Sequence, residues 1–176
     1  MQYVVLGSMP NVTAIARSVA KLLAQQKLRV VFAESCTGGL VSATLAQIPG
    51  ISEYLCGSAV TYRSATKAAW LKIDMATLDD PGPVSEQVAA LMAGSVLRRT
   101  PEADLALSVT GHLGPNAPAK LDGVVFVGVA RRAEKKGSKP AIHVARHRLP
   151  QASRVKRQRQ AVAIVLEQLE LELEST

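Results

Sequence analysis

Aromatic residues are scarce in this chain: Phe, Trp and Tyr make up 3% of 176 residues. That argues against the ranks of stacking side chains on which single-stranded nucleic acid is held. Cysteine is nearly absent as well. Cys36 and Cys56 fit neither a zinc-ligand spacing nor the disulfide framework of a small secreted protein, so two reduced thiols in the cytosol are expected. No apolar run reaches the roughly 18 residues that a membrane span needs, and MQYVVLGSMP at the start lacks the basic segment and the length of a secretory signal. The sequence therefore predicts a cytoplasmic protein with no membrane partner. No internal repeat, low-complexity tract or linker is visible.

What is present is an ordinary globular balance, 48% apolar and 20% charged residues. A chain of this length buries roughly two-thirds of the surface that its unfolded form exposes, which supports one compact domain over residues 1–176, with 1–10 as a loosely ordered extension. The net charge of +7 is unevenly spread. Arg131, Arg132, Lys135, Lys136, Lys139, Arg146, Arg148, Arg154, Lys156, Arg157 and Arg159 share one stretch with Glu134 as its single acid. Such a stretch attracts anions.

Hydrophobic periodicity supplies the architecture. Val12, Ile15, Val19, Leu22 and Leu23 recur at helical spacing behind Asn11, a candidate N-cap. LRVVFAES is continuously apolar at its start, as in a strand buried on both faces, and Gly38 to Gln47 predicts the next helix. Cys56 to Arg63 predicts a second strand, and SATKAAWLKI a short helix capped by Ser64. Val84, Val88, Leu91, Met92 and Val96 mark an amphipathic helix that stops near Thr100-Pro101. ADLALSVT predicts a third strand, broken by the glycines and prolines of GHLGPNAPAKLDG. VVFVGVA and AIHVARHRL predict a hairpin, and a last helix runs from about Ser153 past Leu169 with Val155, Val162, Val165, Leu166 and Leu169 inward. Strands separated by helices early and paired late imply an α/β fold: a three-layer α/β/α sandwich around a mixed, mostly parallel sheet.

In such a sheet, ligands bind beyond the carboxyl ends of the strands. AESCTGG, TYRSATK and SVTGHLGP mark three of those ends and bring Ser35, Thr37, Tyr62, Lys67 and Thr110 into one candidate pocket without an obvious metal set. Taken singly, each is also an ordinary turn or cap composition. Ser35 is the candidate nucleophile, since a serine on a strand-to-helix turn stands clear of the sheet. No histidine is well placed to serve it: His112 falls in a loop, and His143 and His147 in a strand. Lys67 could replace histidine as the base if burial or the positive end of its helix kept it neutral; a solvated helix lysine is the plainer alternative. Thr37, Gly38 and Gly39 offer backbone N–H groups for an oxyanion or phosphate, and Cys36 stays open as a rival nucleophile.

AESCTGG, GSAVTYRSATKAAWLKID, GPVSEQV and LSVTGHLGP resemble, in order and spacing, the stand-alone C-terminal domain of the CinA competence/damage-inducible family, over about residues 11–170. The resemblance implies a nicotinamide-nucleotide amidohydrolase. Such an enzyme converts nicotinamide mononucleotide to nicotinate mononucleotide and ammonia in pyridine-nucleotide salvage, without a cofactor, as a homodimer or larger assembly. It implies Ser35 as nucleophile and Lys67 as its partner, Tyr62 and Thr110 at the reacting centre, and Glu34, Thr37, Gly38, Gly39, Ser64, Gly111 and Arg154 around the substrate. Several positions depart from the family pattern. Ser64 stands where an asparagine is usual, GHLGPNAP and KLDG replace GIAGPxGG and a Lys-Pro-Val-Gly stretch, and Ala152-Ser153-Arg154 replaces Gly-Asp-Arg. Two alternatives follow: a weakly active homologue serving as a nucleotide-binding module and, from the basic stretch, a nucleic-acid binder, although no nucleic-acid motif accompanies the charge.

Overall fold

Val30–Glu34, the first strand (β1), is buried along its whole length and occupies an interior position of the sheet. The continuous apolar run requires that, because both of its faces meet helices. A computed structural model describes residues 11–133 and 138–175; the expectation for residues 1–10 lies outside them. In chain order the remaining elements are α1 (Val12–Gln26), α2 (Leu40–Leu45), β2 (Leu55–Val60), α3 (Ser64–Leu71), α4 (Met75–Asp79), α5 (Glu86–Arg99), β3 (Leu105–Gly111), β4 (Val124–Arg131), β5 (Ala141–Arg148) and α6 (Arg154–Glu174).

The strands lie in the order β2-β1-β3-β4-β5. β1 runs parallel to β2 and β3, whereas β3 with β4 and β4 with β5 are antiparallel pairs, so β4 alone is reversed. Alternation along β1 divides the core. Val30 and Phe32 face α1, α2 and α6, with Leu23, Leu45, Leu166 and Leu169 packed behind them. Val31 and Ala33 face the other way, onto Leu71, Leu78, Met92 and Val96. This is the expected three-layer α/β/α arrangement, and it leaves the carboxyl ends of β1, β2 and β3 side by side.

Several boundaries differ from the sequence expectations. Asn11 caps α1 through its side chain as expected, its Oδ1 accepting the Ala14 N–H at 3.1 Å. Ser64 is not the cap of α3: Arg63 holds that position without a side-chain bond, and Ser64 is the first helical residue. Val155 is 58% exposed and not inward, because it lies in the first turn of α6, ahead of the buried stretch that begins at Gln160. The short helix α4 had no periodic signal of its own; Asp74 caps it, accepting the Ala76 N–H at 3.2 Å.

The basic stretch sorts into partners. Arg131 pairs with Glu172 at 2.8 Å, Arg132 donates to the carbonyls of Leu97, Thr100 and Ala103 at the end of α5, and Arg148 donates to the Lys120 carbonyl. Much of the charge therefore closes the fold, as Arg132 does for the last carbonyls of a helix.

Candidate active site

The turn after β1 is fixed from two sides. The Ser35 N–H extends the parallel pairing by donating to the Val109 carbonyl at 3.0 Å, and the Ser35 carbonyl accepts the Gly38 N–H at 3.0 Å. Gly38 and Gly39, at φ 64° and 96°, bring the chain into α2 through left-handed conformations that cost glycine little. From α6, Gln158 donates to the Thr37 carbonyl at 3.0 Å.

Glu34 anchors this turn from beneath. It is fully buried, and its carboxylate accepts from the N–H groups of Val41 and Ser42 at 3.0 and 2.9 Å and from the hydroxyls of Thr37 and Ser58 at 2.8 and 3.0 Å. Two first-turn donors of α2 are thereby satisfied by a residue six positions before the helix begins. Glu34 and Thr37, expected beside the substrate, point inward at each other. With Gly38 and Gly39 they stand behind the serine and not on the cavity wall.

Lys67 meets Ser35 across 32 residues of chain. Its Nζ donates to Ser35 Oγ at 2.8 Å and to the Thr61 carbonyl at 2.9 Å, and the side chain is 1% exposed. Burial lowers its pKa from 10.5 to about 8, with the neighbouring Cys36 acting weakly in the opposite direction. Of the two causes the sequence offered, burial and the helix end, desolvation by burial is the one at work. At that value roughly a tenth of the molecules carry a free amine at pH 7. A neutral Nζ can still donate to Thr61 while its lone pair accepts the Ser35 hydroxyl proton, so both contacts suit a base.

Cys36 does not rival Ser35. It belongs to the buried core on the α6 side, and burial pushes its thiol up to about 12, far from the thiolate that attack requires.

The dyad opens into a cavity of about 220 Å³, lined among others by Tyr62, Ser64, Thr110, Gly111, His112 and Arg154. Thr110 is 1% exposed and donates its hydroxyl to the Pro83 carbonyl at 2.7 Å, which holds the Pro83-Val84 wall in place. Gly111 is a close approach: a Cβ there would stand 2.4 Å from a Val125 methyl. Tyr62, 56% exposed, stands at the mouth. Arg154 bridges that mouth, donating to the Tyr62 hydroxyl at 2.7 Å and to the Gly114 carbonyl at 2.6 Å. Beyond it a second cavity of about 460 Å³ shares Leu113, Gly114, Pro115 and Arg154 with the first. Sequence reasoning missed Pro83, Val84, Leu113, Pro115 and Gln158, whose types carry no chemical signal.

The model of the CinA C-terminal domain matches residues 12–173. The chain belongs to that family. A putative competence-damage inducible protein of Halothermothrix orenii is 40% identical over 120 residues, 67% of this chain and 29% of that protein; a CinA-like protein of Chlorobaculum tepidum is 43% identical over 116 residues, 65% and 27%. The chain thus matches under a third of the length of these relatives. Among solved structures, the competence/damage inducible protein from Agrobacterium tumefaciens has a TM-score of 0.84 at 30% identity, covering 96% of this chain and 99% of that one. A CinA superfamily protein from Klebsiella pneumoniae has a TM-score of 0.85 at 25% identity, covering 95% and 100%. Among the described residues no helix is long and apolar enough to cross a membrane, and no group of three or more His, Cys, Asp or Glu is placed to hold a metal ion.

Proposed function

We propose that this CinA-family domain is a serine amidohydrolase acting on the carboxamide of nicotinamide mononucleotide. The observation that carries the reading is the 2.8 Å contact between a buried, pKa-lowered lysine and a serine at the floor of a cavity. Neutral Lys67 takes the Ser35 proton, and Oγ attacks the amide carbon. The tetrahedral oxyanion is met by backbone N–H at the turn, with the N–H of Cys36, the residue next after the nucleophile and one that lines the cavity, as first donor. Lys67, now an ammonium, returns the proton to the departing amine, which leaves as ammonia. Water deprotonated by the Lys67 amine then attacks the acyl-serine, and Lys67 returns that proton to Oγ as the nicotinate product leaves and the Ser35 hydroxyl is restored.

Substrate charge favours the same chemistry. A pyridinium ring in the cavity would repel a proton on Lys67 and enlarge the neutral fraction when it is needed. The inner cavity is small, so the ring and its carboxamide occupy it while ribose and phosphate extend past Arg154 into the outer one. Arg154 supplies the positive charge at that junction.

The deciding experiment is ammonia release from nicotinamide mononucleotide by the wild type and by Lys67→Ala. Turnover in the first, lowered by about 10²–10⁴-fold in the second, is expected. Saturable binding of the nucleotide with no ammonia from the wild type would leave a nucleotide-binding module instead.

A further inference from the structure

Building on the amidohydrolase reading, we infer that Asp122 and Arg157 form a positioning pair that sets the outer wall of the reaction cavity and, through it, the affinity for substrate. Neither residue lines the inner cavity, although both stand on the wall of the outer one. Arg157 is 4% exposed, a burial that arginine tolerates only when its donors are met. Its Nη1 and Nη2 donate to the two carboxylate oxygens of Asp122 at 2.6 and 2.9 Å, and its Nε donates to the Pro150 carbonyl at 3.2 Å. Such a two-pronged contact fixes orientation as well as distance.

The guanidinium lies between the two ends of the loop that joins β3 to β4. A Cβ on Gly114 would stand 3.1 Å from Nη1, and one on Gly123 3.3 Å from Nη2, so both backbone segments rest on it. The base of the loop is closed independently, by Gly123 N–H to the His112 carbonyl at 3.0 Å and His112 N–H to the Val124 carbonyl at 2.9 Å. Between these points the loop presents Leu113, Gly114 and Pro115 to the cavity at one end and Asp122 to Arg157 at the other. One turn earlier on α6, Arg154 holds the same loop by the Gly114 carbonyl. Helix α6 therefore grips the wall twice, and Asp122 is the loop's own side-chain contribution to that grip.

A purely structural role fits less well. The Asp122 side chain is 43% exposed, so water can replace part of what it gives the buried Arg157 guanidinium, which moderates the cost to global stability. What the pair determines is where Leu113 to Pro115 stand relative to Ser35 and Lys67.

The test compares the wild type with Asp122→Asn and Arg157→Met, measuring KM and kcat separately for ammonia release from nicotinamide mononucleotide, and backbone hydrogen exchange in the absence of substrate. Expected for both variants are a KM raised about tenfold with kcat within about threefold, and faster exchange confined to residues 112–123, with 30–39 and 64–71 unchanged. If Arg157→Met fails to fold, Asp122→Asn decides alone, since its carboxylate is partly solvated already. A KM within twofold of wild type, or unaltered exchange over 112–123, in Asp122→Asn overturns the pair's role. Because exchange needs no turnover, absence of ammonia release by the wild type overturns the amidohydrolase reading separately.

Discussion

Lys67 Nζ lies 2.8 Å from Ser35 Oγ, although α3 and the turn after β1 approach only through the parallel pairing of β1 with β2. The sheet brings two strand ends together, and each strand end delivers one member of the pair. If Ser35 is the attacking group and Lys67 its base, Ser35→Ala should abolish ammonia release, and Lys67→Ala should lower kcat by about 10²–10⁴-fold, the usual contribution of a positioned base. Nucleotide binding, followed calorimetrically, should survive both. Full activity in Ser35→Ala ends the mechanism.

The depressed lysine pKa makes a pH prediction with a definite sign. The reactive form is the free amine, so kcat/KM should rise with pH and level off above a midpoint of about 8 in the free enzyme. A rate that is flat from pH 6 to 9 would mean that Lys67 is not the titrating base.

The same shift is a stability statement. Lys67 titrates near 8 when folded and near 10.5 when unfolded, so between those values the unfolded chain binds more protons and stability rises with pH. Below pH 8 the folded state carries a buried ammonium at a cost of about 3 kcal/mol, which is relieved as pH climbs toward 10.5. Lys67→Met, close in shape and uncharged, should therefore melt higher than the wild type at pH 7, and the gap should narrow toward pH 10. An equal or lower melting temperature at pH 7 would show that the two hydrogen bonds of Nζ outweigh its desolvation.

Much of this was legible in the chain, for reasons that differ by element. Continuous apolar runs placed β1 and β3 in the interior, and alternation with helices gave the three layers, because burial on two faces has a strong compositional signature. The side chains of Glu34 and Thr37 were legible as a motif but not in their direction. A carboxylate after a strand reads equally as a ligand contact or as the anchor of the following helix, and four inward hydrogen bonds favour the second. Strand ends put Lys67 and Ser35 in one pocket, but their direct contact depends on strand order, and nothing in the spacing brings Arg157 to Asp122, which depends on where α6 lands. Val155 misled because an apolar residue in the first turn of a helix keeps the period without having a neighbour to pack against.

Glu34 should matter mainly for stability. Glu34→Ala leaves two N–H groups and two hydroxyls without their acceptor, two of the four bonds buried and two partly buried, at about 1–3 kcal/mol for each one that water cannot reach. A large drop in melting temperature is expected, with Glu34→Gln intermediate because its single carbonyl oxygen can keep part of the set. Were Glu34 a substrate ligand instead, Glu34→Gln would raise KM and leave the melting temperature unchanged.

Arg154 decides how the outer cavity reads its ligand. The guanidinium is exposed, bridges Tyr62 and Gly114, and sits where the inner and outer cavities join, so a phosphate arriving there would meet its positive charge and the N–H groups that this bridge leaves over. Arg154→Gln should raise KM for nicotinamide mononucleotide about tenfold or more while changing little for the phosphate-free nicotinamide riboside, and the nucleotide's advantage should shrink as salt is added. The ratio of the two KM values separates a phosphate contact from a strut. If Arg154 only braced Tyr62 and the loop, both substrates would weaken together and the ratio would not move.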